Sequence, residues 1–82
     1  MRFEDWKEIH RDKKASYLLA VLVEETKMIT SEKVAANTAR FVWRNEAEVA
    51  YHNREARAHE DRAQWLLEQI TFALANAEDG ID

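Results

Sequence analysis

No proline, and one glycine at position 80, interrupt this chain of 82 residues. That constrains the fold more than any other feature. β-hairpin turns and phosphate-cradling loops draw on glycine for backbone conformations that other residues resist. A β-sandwich, a P-loop or a dinucleotide-binding fold is therefore excluded. Helix remains, and the abundant Ala, Glu, Arg, Leu and Lys are strong helix formers. There is no cysteine. This removes disulfides, Cys-based zinc sites and thiol nucleophiles, and it fits a reducing compartment. The length allows one domain with a modest core, of the kind that often needs a partner subunit.

The expected fold class is all-α: an antiparallel helical hairpin with a long second helix. Thr30 and Ser31 are both good N-caps, and Glu32 puts negative charge at a helix start. They predict a first helix over about 3–29 and a second over about 32–77, followed by a short disordered tail. A weak point is expected in "HRDKKAS", where Asp12 or Ser16 would cap a restart. The second helix would then be about 70 Å long and the first about 40 Å. Helix 1 would cover helix 2 only to around residue 58, leaving "AQWLLEQITFALA" bare. In addition, "YLLAVLV" at 17–23 is apolar all round, which calls for burial on every side. Both features predict that two hairpins pair into a four-helix bundle. Leu18, Leu22, Trp65, Leu67, Ile70, Phe72 and Leu74 would form the homodimer or higher-oligomer interface.

Helical periodicity places Val34, Thr38, Phe41, Val42, Asn45, Val49, His52, Ala56, His59, Ala63, Leu66, Leu67, Ile70 and Leu74 on one core stripe. The opposite side carries Lys33, Arg40, Arg44, Arg54 and Arg62, with Tyr51 among them and Trp43 between the stripes. Solvated charge pairs are the plain explanation of that side. Arginine forks and aromatics also suit a partner surface, which would comprise Arg40, Trp43, Arg44, Tyr51, Arg54 and Arg62.

The stretch "EVAYHNREARAHEDR" nearly repeats itself, with Glu48 four residues before His52 and Glu55 four before His59. A hairpin turning at 30–31 sets His10 opposite Tyr51 and His52. His10, Glu48, His52, Glu55 and His59 are then metal-ligand candidates. Ferritin-like di-iron bundles, however, use a spacing of three between Glu and His. Here it is four, and Ala56 stands three before His59. Structural polar layers, which set register in helical seams, are the expected role, ahead of a pH-responsive seam or a metal site.

Net charge is −4, with sixteen acids against twelve bases. This disfavours a general nucleic-acid binder, and an Arg stripe on helix 2 that binds an anion, a nucleotide or nucleic acid is the alternative. No apolar run of signal-peptide or membrane-spanning length follows Met1, so a cytoplasmic chain without membrane association is expected. No catalytic motif is visible and no cofactor is implied. The expected function is a small oligomeric helical interaction module, a regulator, inhibitor or adaptor of a larger protein.

Overall fold

Local chemistry breaks the helix twice, and neither break is at Thr30. The computed structural model describes residues 1–76. In chain order it contains α1 Phe3–His10, α2 Ala15–Thr38, a π-helical turn Ala39–Trp43, and α3 Glu46–Asn76. Among the described residues there is no strand. The expected helix end and tail beyond Asn76 lie outside them.

The first break is at the expected weak point, with different chemistry. Asp12 takes the left-handed conformation (φ 62°), and Lys14 is the extended residue that starts α2. Neither Asp12 nor Ser16 caps the restart. Asp tolerates a left-handed backbone better than most residues, so it can end a helix where no glycine is present.

The second break corrects the expected turn and the expected single long helix over 32–77. Thr30 lies inside α2, where its hydroxyl donates to the Thr26 carbonyl at 3.2 Å. Thr26 and Thr38 bond back to Leu22 and Val34 in the same way. A hydroxyl that caps a helix start can equally bond to its own preceding turn. The chain reverses instead at residues 39–45. The Ala39 carbonyl accepts from the amides of both Arg44 and Asn45. Arg44 is left-handed (φ 53°, ψ 45°). Asn45 then caps α3, its Oδ1 accepting from the Glu48 amide at 3.2 Å, with Glu46 and Glu48 in the first turn.

Helices α2 and α3 pack antiparallel. Glu32 meets His52, Glu25 meets His59, and Leu18 shares the apolar cluster with Leu66. The seam alternates steps of three and four. On α2 it runs Ala15, Leu18, Leu22, Glu25, Ile29, Glu32, Ala36, Ala39. On α3 it runs Val49, His52, Ala56, His59, Ala63, Leu66, Ile70, Ala73. All of these are buried or half-buried. The α3 stripe was thus legible at Val49, His52, Ala56, His59, Ala63, Leu66 and Ile70. Val34, Phe41, Val42, Asn45, Leu67 and Leu74 are corrections to it, being exposed. Apolar bulk gathers at the end away from the turn, where Trp6 of α1 joins Leu18, Leu66 and Ile70. Trp6 meets Trp65 edge-on at 5.5 Å, a favoured aromatic geometry. The middle of the seam holds two Glu–His layers, with alanines and Ile29 around them. The molecule measures 52 × 21 × 14 Å, one helix pair thick.

Candidate functional site

The turn that reverses the chain also carries three consecutive large apolar side chains that are strongly exposed. Phe41 is 71% exposed, Val42 67% and Trp43 71%. Arg40 and Arg44 flank them and are also exposed. A π-helical turn and a left-handed non-glycine residue are both uncommon, and both cluster at functional positions. Here they aim three consecutive apolar side chains outward, where a regular helix would have turned one of them back to the seam. Phe41 and Val42 were assigned to the core from helical periodicity. The π turn breaks that periodicity, and no residue in "ARFVWRN" announces it except Asn45 with its following acids.

Beside the tip lies an open cleft of about 440 Å³ between α2 and α3, lined by Ala35, Thr38, Ala39, Trp43, Asn45, Glu48 and His52. His52 Nδ1 donates to Glu32 Oε2 at 2.6 Å, and its Nε2 lies 3.3 Å from Glu48 Oε2. Two turns further along, His59 Nδ1 donates to Glu25 Oε1 at 2.8 Å, and Arg62 reaches the same oxygen at 3.6 Å. Glu25 is the buried charged residue of the seam, 8% exposed. Glu25 and Glu32 were not singled out from sequence. Their signal was available: they stand seven apart on α2, as His52 and His59 do on α3.

The five-residue metal cluster does not assemble. His10 belongs to α1, where its Nδ1 donates to the Trp6 carbonyl at 2.9 Å and its ring stacks near Tyr17. Moving the reversal from 30–31 to 39–45 slides α2 along α3, so Glu32 occupies the place expected for His10. Glu55 faces Tyr51, and its charge raises the Tyr51 phenol above its usual value by disfavouring the phenolate. Among the described residues no three His, Asp or Glu side chains converge on one point.

The expected basic stripe is dispersed as well. Arg62 lies 5.4 Å from the Trp6 ring and beside Glu25. Lys33 pairs with Glu60 at 3.6 Å. Arg54 is exposed on α3, away from the tip. Of the expected partner residues, Arg40, Trp43 and Arg44 come together at the turn, while Tyr51, Arg54 and Arg62 do not join them. Of the expected oligomer interface, Leu18 and Ile70 are buried in the chain's own core, and Leu22 and Trp65 pack against it. Leu67, Phe72 and Leu74 remain exposed.

Comparison of the chain with protein-family models, with curated proteins and with solved structures finds no match. No described helix is long and apolar enough to cross a membrane.

Proposed function

We propose that the protein is a small helical interaction module that self-associates and offers its π-helical turn to a larger protein partner as a regulator or adaptor. The observation that carries this reading is the exposed Phe41–Val42–Trp43 run between Arg40 and Arg44. Trp and Arg dominate the energetics of protein interfaces, and burying each apolar side chain contributes about 1.5–3 kcal/mol. The two arginines in an otherwise acidic chain favour a partner whose apolar groove is rimmed by carboxylates.

Self-association is supported by the open face. Arg62 and Trp65 lie beside α1, and the helical steps from them lead to Ala58, Tyr51 and Glu48. Helix α1 spans eight residues, so among the described residues nothing covers the rest of that face. Tyr51, Ala58 and, on α2, Met28 are exposed. A second copy laid antiparallel over the open half completes a four-helix bundle.

The partner surface is tested by a photo-crosslinker at Val42. Partners crosslinked in the wild-type background are expected to disappear in Phe41→Ala/Trp43→Ala, with an unchanged melting temperature. Retention of the same crosslinked partners in the double variant would refute the reading.

A further inference from the structure

Glu48 and His52 stand one turn apart on α3 and open into the cleft beside the turn. A carboxylate oxygen and an imidazole nitrogen are lone-pair donors to metal ions, and the imidazole here is already oriented. Its Nδ1–H is committed to Glu32 at 2.6 Å, which leaves Nε2 as the free lone pair of the neutral ring. That lone pair and Glu48 Oε2 are 3.3 Å apart with no protein donor between them when the ring is neutral. Two ligands of one tetrahedral zinc ion are separated by about 3.3–3.5 Å, given bond lengths of 2.0–2.2 Å. A carboxylate on the far nitrogen of a ligating histidine is the usual device that fixes its tautomer and strengthens it as a donor.

We propose that Glu48 and His52 form half of a zinc-class metal site, with Glu32 as the positioning residue, and that the same pair from a second copy completes it. The clause about the second copy rests on the self-association proposed above. Within one chain the site stays at two ligands, because no third His, Asp or Glu converges there among the described residues. The cleft meets the requirement for a second copy: Ala35, Thr38 and Ala39 keep its floor low, and Glu48 is 55% exposed. It lies on the open face, so two copies in antiparallel contact bring two Glu–His pairs together as a closed set of two nitrogens and two oxygens.

The Glu25–His59 layer does not act in the same way, since Glu55, four residues before His59, faces Tyr51 instead.

The test is zinc titration of the full chain at pH 7, read by calorimetry and by sedimentation equilibrium with zinc or with chelator. The expected result is one zinc per two chains and a dimer tightened at least tenfold. Glu48→Gln should abolish both the zinc heat and the tightening of the dimer by zinc, each read against the same variant in chelator. Glu32→Gln should weaken zinc binding about 10–100-fold. Absence of zinc binding heat at pH 7, or a dimer dissociation constant that is the same with zinc and with chelator, overturns the metal site, even if the chain is dimeric in both. Saturation at one zinc per chain, with no change in mass, overturns completion by a second copy. A monomer in chelator that dimerises with zinc supports the metal site and removes metal-free self-association instead.

Discussion

Glu25 occupies a seam position that Leu18 fills two layers away, and a carboxylate there is tolerated only because His59 and Arg62 meet it. Burial of an unpaired charge is far more costly than burial of a satisfied pair. The layer therefore contributes to register more than to net stability. Sliding α3 by seven residues would keep one Glu–His pair and leave the other Glu and His without partners. Two predictions follow from that asymmetry. Glu25→Leu and His59→Leu alone should each destabilise the fold, by about 2–3 kcal/mol. The double variant, with two apolar residues facing each other, should regain most of that loss in urea unfolding. Additive losses in the double variant would show that the pair has no coupling across the seam.

At the scale of elements, the turn at 39–45 is held by two local devices with opposite energetic signs. Arg44 holds a left-handed conformation that costs a non-glycine residue about 1 kcal/mol. Asn45 supplies a cap whose loss costs about 1 kcal/mol. Thermal melts should accordingly show Arg44→Gly raising the melting temperature and Asn45→Ala lowering it. A lowered melting temperature in Arg44→Gly would mean that the arginine side chain stabilises the turn. Thr30 illustrates why this turn was hard to locate. "ITSEK" and "RNEAE" both read as helix starts, and local chemistry does not rank them. The second is used because α2 then continues for two further seam turns, bringing Glu32, Ala36 and Ala39 against α3.

At the scale of the whole molecule, a single layer 14 Å thick cannot enclose the side chains of "YLLAVLV" on all sides. Val23 is exposed, while Leu19, Val21 and Leu22 are half-buried. Among the described residues, Leu66 is the one large side chain that is fully buried. Removing it should be severe for so small a core: Leu66→Ala is expected to cost about 3 kcal/mol or more, whereas Leu67→Ala next to it should cost little in the monomer. Sedimentation equilibrium at micromolar concentration in chelator should give twice the chain mass of 9.6 kDa. A clean monomer there would refute metal-free pairing.

The sequence by itself determined that the protein is helical, because it lacks the proline and glycine that other folds need. It also determined the seam of α3, because steps of three and four from Val49 to Ile70 leave one face for burial whatever lies against it. The location of the reversal, and with it every pairing between helices, was decided only by tertiary structure. Caps are local and degenerate, while register depends on which sliding of α2 along α3 satisfies both Glu–His layers and closes the Trp6–Leu18–Leu66–Ile70 cluster at once. For the same reason the histidines were visible from the start as seam residues, but their glutamate partners twenty and thirty-four positions away were not.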